Sequence, residues 1–328
     1  GAVAVTEQAI INEAHERGLV VPDKKKDIST EEMQAAGAYV AHPKRGMHDW
    51  IGSVDINSLY PSVIRALNMG PETIVGQLRP IMTDQLIKER MAKKQSFAEA
   101  WEGLFATLEY SAVMDQEIGT EITIDWESGE SGVYSAAEIW KMIFDSNKPW
   151  LLSANGTIFT YEFDGVIPGL LQRWYAERKE MQKNLKNSND DAEIEYWDKR
   201  QLVKKINLNS LYGAILNPYC RFFDKRIGQS TTLTGRSIAK HMDAYTNECI
   251  TGEYNHTGES IIYGDTDSVY FTAWPMVKDS VESGKMQWDK ETVIQLYDGI
   301  AQQVNDSFPS FMEQAFHSPR HMGQLIKC

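Results

Sequence analysis

Two aspartates with one residue between them sit amid apolar, β-prone runs in the segment IIYGDTDSVYF, residues 261–271. Carboxylates this close repel each other, and a hairpin turn can be built without Asp265 and Asp267. A divalent cation would give them a purpose. Hard ions such as Mg²⁺ take oxygen ligands, are held by one or two carboxylates, and leave positions for water and substrate phosphates. Residues i and i+2 share a face only along a regular strand, and a tight turn breaks that alternation. One of the pair is then the principal ligand, and a second carboxylate must come from elsewhere. A plain acidic turn is the competing reading of the hairpin taken alone.

Asp55, in SVDINSLYPS, is the candidate partner. It falls at the end of an expected strand, just before a turn into a helix beginning near Pro61, so its carboxylate reaches the rim of a sheet. The amides of Ile56 to Tyr60 precede that helix, where free N–H groups favour an anion such as phosphate. Read alone, the stretch is equally a β–α corner with an Asp cap. A third stretch, KKINLNSLYGAI, puts Lys205, Asn209 and Tyr212 or Gly213 on one helical face, at i, i+4 and i+7 or i+8. A cation, an amide, an aromatic ring and a residue with no side chain suit a stacked base and its phosphates. A solvated charge over core aromatics is the plainer alternative. The preceding helix carries Arg173, Arg178, Lys179, Lys183 and Lys186. Such runs are usually solvated faces, but here two basic helices face each other across the short turn NSNDD.

Positioning these groups takes a scaffold, and the periodicity outlines one. Helical spacing marks 4–18, 83–105, 169–186, 192–217 and 232–249, with shorter segments at 292–304 and 310–316. Strand character marks Trp50 to Ile56, a hairpin within 151–168 turning at Asn155-Gly156, and the hairpin of the paired aspartates. Residues 109–149 are mixed and acidic and fit no pattern. The order strand–helix, helical pair, helix, β-hairpin is an α+β layout rather than alternating βαβ. A chain of 328 residues is long enough for two domains or one large one. Its net charge of −13 argues against binding nucleic acid through bulk charge, which leaves local basic clusters or metal ions for that task. Cys220, Cys249 and Cys328 lack metal-type spacing, which fits a reducing compartment. No apolar run approaches the length of a membrane span. His317 and His321 are four apart, but Pro319 stands between them and no third ligand is near, so they read as structural.

Taken in order, DINSLYPS, KINLNSLYG and YGDTDS resemble the three polymerase motifs of family B DNA polymerases; GVIP at 165–168 and TLTGR at 232–236 resemble weaker signatures of that family. The run SLYPSVIRALNMGPETI, with GAYV and VVP before it, is most similar to replicative polymerases of T-even-type bacteriophages. The resemblance covers essentially the whole chain and is poor only over 77–150. It implies a polymerase palm, whose antiparallel sheet carries the catalytic carboxylates, and a helical-hairpin fingers subdomain. On that division 1–50 leads into the palm, 51–168 is palm with a family-variable insertion at 77–150, 169–217 is fingers, and 218–328 is palm again. The family's exonuclease and thumb domains are absent, so the chain reads as a palm-and-fingers fragment or one subunit of a split enzyme.

The implied activity is DNA-directed DNA polymerase, a nucleotidyl transfer from dNTP to a primer 3′-hydroxyl by a two-metal mechanism. Asp55 and Asp267, helped by the Ile56 carbonyl, would ligate two Mg²⁺ ions, with Mn²⁺ as a substitute, and Asp265 would be an accessory catalytic carboxylate. Ser58, Leu59 and Tyr60 would bind the triphosphate largely through backbone N–H groups, the Tyr60 ring excluding a 2′-hydroxyl. Arg178, Lys205 and Asn209 would grip the β- and γ-phosphates, and Tyr212 and Gly213 would flank the nascent base pair. The phage pattern has a second fingers lysine four residues after the arginine; here Gln182 stands there, and either Lys183 substitutes or the grip is weaker. The implied partners are primer–template DNA, dNTPs, a thumb-containing remainder of the polymerase and a sliding clamp, in the host cytoplasm and away from membrane. A non-catalytic, polymerase-like scaffold or DNA-binding subunit is the alternative, against which the intact Asp55 and Asp267 speak.

Overall fold

Side chains cap four of the helices in the computed structural model, which describes residues 2–18, 50–80 and 121–328. Numbered over those residues, the helices are α1 (Ala2–Glu16), α2 (Leu59–Ala66), α3 (Ala136–Phe144), α4 (Val166–Lys186), α5 (Asp191–Ile215), α6 (Lys225–Thr251), α7 (Trp274–Glu282), α8 (Lys290–Phe316) and α9 (Arg320–Gly323). Ser135, Asp190, Asp224 and Asp289 accept a first-turn amide and open α3, α5, α6 and α8. The helix expected over 83–105 and the extended stretch before Trp50 lie outside the described residues.

The strands form two antiparallel sheets, in keeping with an α+β fold. β1 (Gly52–Asp55), β7 (Ile261–Gly264) and β8 (Ser268–Phe271) make a three-stranded sheet in the order β1-β8-β7. β2 (Ile74–Pro80), β3 (Glu121–Trp126), β4 (Ser131–Ser135), β5 (Trp150–Leu152) and β6 (Thr157–Thr160) make a five-stranded sheet in the order β4-β3-β2-β6-β5. The described part of the acidic stretch that fits no pattern in sequence therefore supplies β3, β4 and α3. The turn between β5 and β6 is closed by Gly156 N–H donating to the Ser153 carbonyl at 3.0 Å, with Gly156 at φ +84°, a conformation open to glycine.

Helix α6 is the central strut, packed against α2, α7, α8, β7 and β8. It is buried on nearly every side, and its polar residues find partners both along the helix and across to its neighbours, as where Ser230 Oγ donates to Asn155 Oδ1 at 2.7 Å. Thr231, Thr232, Ser237 and Thr246 donate to carbonyls one turn back, at 2.7–3.2 Å. The helix starts at Lys225, seven residues earlier than periodicity suggests, because Asp224 caps it there and its buried first turns carry no apolar stripe. The two short segments expected at 292–304 and 310–316 are one helix, α8, running through Pro309. Phe308, Phe311 and Met312 are buried on either side of that proline, and their packing outweighs the lost backbone hydrogen bond. Helices α4 and α5 form an antiparallel pair whose distal part is exposed; α5 is buried only at its base, through Leu208, Leu211, Ala214 and Ile215.

One buried side chain ties α2 to the root of this pair. Asn68, at φ +50°, donates to the carbonyls of Thr160 at 3.0 Å and Phe163 at 2.8 Å and accepts from Gly165 N–H at 2.9 Å. Asn68→Ala removes all three bonds and leaves buried polar groups unpaired. The expected cost is about 3 kcal/mol of unfolding free energy, read by urea denaturation; a loss within error of zero would contradict this role.

Candidate functional site

The hairpin connecting β7 and β8 is closed by Asp265 N–H donating to the Ser268 carbonyl at 2.8 Å. Its two aspartates do different things. One Asp265 oxygen accepts from the Thr266 amide at 2.7 Å and its hydroxyl at 3.3 Å, which ties that carboxylate into its own turn. Asp267 is exposed. Strand β8 pairs with β1 in a register that puts Asp55 opposite Ser268, and Ile56 N–H donates to the Asp267 carbonyl at 2.7 Å. Asp55, also exposed, therefore lies beside Asp267 on the neighbouring strand end. Partial burial, then the charges of Asp55 and Asp265, push the Asp267 carboxyl above the ordinary aspartate range.

Past Ile56 the chain enters α2 through Ser58, which is left-handed (φ 47°, ψ 58°) and gives no side-chain cap. The first-turn amides of Leu59 and Tyr60 are thereby left to acceptors outside the helix. The Tyr60 ring stacks on Tyr212 near the end of α5, with centroids 4.8 Å apart and planes 3° from parallel. Beneath it lies Gly235 of α6, where a Cβ would sit 3.0 Å from the Tyr60 ring. Burial pushes the Tyr60 hydroxyl up to about 12; Asp267 and Asp265 act in the same direction and Arg236 against them. Burial also raises Tyr212, with Tyr60 adding to it. Gly235 and Arg236 belong to the TLTGR segment and are absent from the site read in sequence; that segment was their only signal, because a glycine and a buried arginine on a buried helix show no periodicity.

The basic helices sort themselves by partner. Arg173 binds Glu13 of α1 at 2.8 Å, and Lys204 binds Glu177 and lies 5.5 Å from the Trp174 ring centre. Arg178 reaches across the pair to Gln201 Oε1, both contacts at 3.4 Å. Lys205, Asn209 and Gly213 are exposed along α5, and a Cβ on Gly213 would meet open space. The Tyr60–Tyr212 stack joins this face to α2 and the strand ends of Asp55 and Asp267. Lys183 is exposed toward the distal end of α4 and, among the described residues, forms no ion pair. His317 ends α8 in a left-handed conformation, its Nδ1 2.7 Å from the Trp150 carbonyl oxygen.

Chemically, the site offers two exposed carboxylates on adjacent strand ends and, among the described residues, amides free for an anion and exposed Lys205 and Asn209 without partners, leading away across an aromatic stack. No cluster of three or more His, Cys, Asp or Glu side chains suited to a metal ion occurs among the described residues. Two carboxylates in mutual repulsion nevertheless fit Mg²⁺, which is commonly held by that number. Because Asp267 titrates above its unfolded value, its ionisation disfavours the folded state. Its contribution to stability is largest on the acid side and is lost as pH rises through the folded-state pKa. Asp55→Asn removes one of the raising charges, so the Asp267 carboxyl should titrate at lower pH in that variant, with stability at neutral pH recovered in part. Carboxyl ¹³C NMR titration reads the shift, and an Asp267 midpoint that fails to fall contradicts the coupling.

The sequence matches the family model described as DNA polymerase family B over residues 1–310. The DNA-directed DNA polymerase of Escherichia phage RB69 is 26% identical over 280 residues, covering 84% of this chain and 30% of that protein. The enzyme of the same name from Enterobacteria phage T4 is 30% identical over 250 residues, 71% of this chain and 26% of that one. DNA polymerase 2 of Aeropyrum pernix is 25% identical over 265 residues, 80% of this chain and 24% of that protein. The chain thus spans less than a third of the length of these relatives. With the family matched across nearly its whole length, and with Asp55 ending β1 next to Asp267, just before the start of β8, the chain belongs to DNA polymerase family B.

Proposed function

We propose that this chain is the palm and fingers of a DNA-directed DNA polymerase of the phage replicative type, with the two sheets and α6 as palm and α4–α5 as fingers. The observation that carries the reading is the β1–β8 register, which sets Asp55 beside Asp267 at the foot of an uncapped helix N-terminus. Asp55, Asp267 and the Ile56 carbonyl are the groups to hold two Mg²⁺ ions. When bound, such ions lower the pKa of a primer 3′-hydroxyl and neutralise charge on the leaving pyrophosphate.

The chain's own groups do the rest. The amides of Leu59 and Tyr60, with Ser58, hold phosphate oxygens at the helix N-terminus. Lys205, Asn209 and Arg178 take the β- and γ-phosphates; Arg178 reaches them by giving up its weak 3.4 Å contacts to Gln201. Lys183, further out, is the substitute for the fingers lysine that Gln182 replaces. The Tyr60 ring, backed by Gly235, is a rigid floor under the sugar, and its raised pKa keeps the hydroxyl neutral at working pH. Tyr212 must part from Tyr60 for a base pair to settle beside Gly213, whose missing side chain leaves it room. Asp265, bound into its turn by Thr266, shapes the hairpin and adds charge beside Asp267. Primer–template DNA and dNTPs are the substrates. A thumb-containing polymerase segment and a sliding clamp are the expected partners.

In a complete polymerase carrying this segment, Asp267→Asn or Asp55→Asn should reduce incorporation by at least about a thousandfold, the order lost with a group that stabilises charge in the transition state. The circular dichroism spectrum should be unchanged. Primer extension by this chain, alone and with a thumb-containing partner, is the assay, and normal turnover by either variant sinks the assignment. Tyr60→Ala should loosen sugar selection, raising ribonucleotide incorporation relative to deoxyribonucleotide; unaltered exclusion would remove Tyr60 from that role.

A further inference from the structure

Helix α2 has a second working face. Ser58, Ser62 and Arg65 follow one another at i, i+4 and i+7, on a stripe turned away from the Tyr60 ring. They line a cleft of about 340 Å³ whose other walls are the Gln172–Lys179 face of α4 and the segment of Leu325 and Lys327. Lys327 is fixed there by its backbone, its carbonyl accepting from Asn57 N–H at 2.8 Å.

The chemistry of the lining is one-sided. It contains three cations, Arg65, Lys179 and Lys327, and no carboxylate, in a chain whose net charge is −13. Among the described residues none of the three forms an ion pair. Arg65 is half-buried, with its guanidinium carbon 5.0 Å from the Tyr175 ring centre. Burial lowers its pKa below the usual guanidinium value. A partly desolvated guanidinium stacked on a ring but facing no anion carries a cost that an incoming anion would offset. At about 340 Å³ the cleft is of a size for a small anion. Asn57 and Ser58 border it, so it opens beside the amides of the helix N-terminus, and Lys179 directly follows Arg178.

We infer that this cleft is a second phosphate site, which binds inorganic pyrophosphate as it leaves the triphosphate groove. The source of the anion rests on the polymerase reading; the binding itself does not. Calorimetric titration of the chain with pyrophosphate, at low ionic strength and without divalent metal, tests it. Lys179→Gln/Lys327→Gln should weaken binding roughly tenfold, the loss of charge-assisted hydrogen bonds, whereas Lys278→Gln/Lys285→Gln, which makes the same change in net charge elsewhere, should stay within about twofold of the wild type. Both lysine pairs are exposed, so folding is not at stake. Equal binding by the two double variants, or no binding by the wild type at millimolar pyrophosphate, overturns the proposal. In a complete polymerase the cleft variant should show a pyrophosphate inhibition constant raised by the same factor, with kcat/KM for dNTP unchanged; an unchanged inhibition constant overturns the release role. Were the polymerase reading wrong, the calorimetric difference would persist while there would be no incorporation to inhibit.

Discussion

The hydrogen bond from Ile56 N–H to the Asp267 carbonyl continues the β1–β8 ladder, and the candidate site depends on it. Side chains alternate across a strand, so a slip of one residue would bury Asp55 and expose Val54. The hydrophobic pattern prevents that slip. Val54 pairs with Val269 on the buried face, while Ser53 and Tyr270 pair on the open one. The core thereby chooses the register, and the register brings together two carboxylates that are remote in sequence. The Asp267 carboxyl, raised first by burial and then by the charges of Asp55 and Asp265, is held there by backbone bonds and apolar packing that neither carboxylate supplies.

Behind the sheet, α6 turns this local pairing into a rigid platform. Four of its hydroxyls bond back to the helix's own carbonyls, and Ser230 and Thr234 bond across to the β5–β6 turn, so much of a polar sequence lies in the core hydrogen-bonded. It approaches a neighbour closely at Gly235, where the missing Cβ lets the Tyr60 ring settle against the backbone. Tyr60 in turn receives Tyr212, so the strut, the strand ends and the projecting helical pair meet at one aromatic stack. Asn68 makes the same connection from the other end of α2, by clasping the loop that leads into α4.

Charge is distributed by pairing rather than by composition. Cations that buttress packing, such as Arg173, Lys204 and Arg226, are bound to carboxylates. Among the described residues, Lys205 and Lys183 on the helical pair, and Arg65, Lys179 and Lys327 in the cleft behind α2, form no ion pair. An acidic chain can present positive surfaces in this way, because fields at short range follow the nearest unpaired groups and not the net charge.

Much of this was legible in the residues. The Asn155-Gly156 turn, the antiparallel helical pair and the strand character of β1, β7 and β8 follow from local chemistry that needs no distant partner. Asp55, Asp267 and the Lys205–Gly213 face could be named as candidates because their types and spacing are unusual in combination. Other features were hidden for a physical reason: each depends on groups that only the folded chain assembles. The start of α6 and the passage of α8 through Pro309 are set by burial, which periodicity cannot report when a helix is covered on all sides. The different surroundings of Asp265 and Asp267 come from one amide of Thr266 and the position of Asp55. The sequence by itself determined which side chains were available and where the hairpins and the helical pair lie; tertiary structure decided which carboxylates come together, which cations are paired, and which ring lies on which, because those are matters of register and packing between segments far apart in the chain.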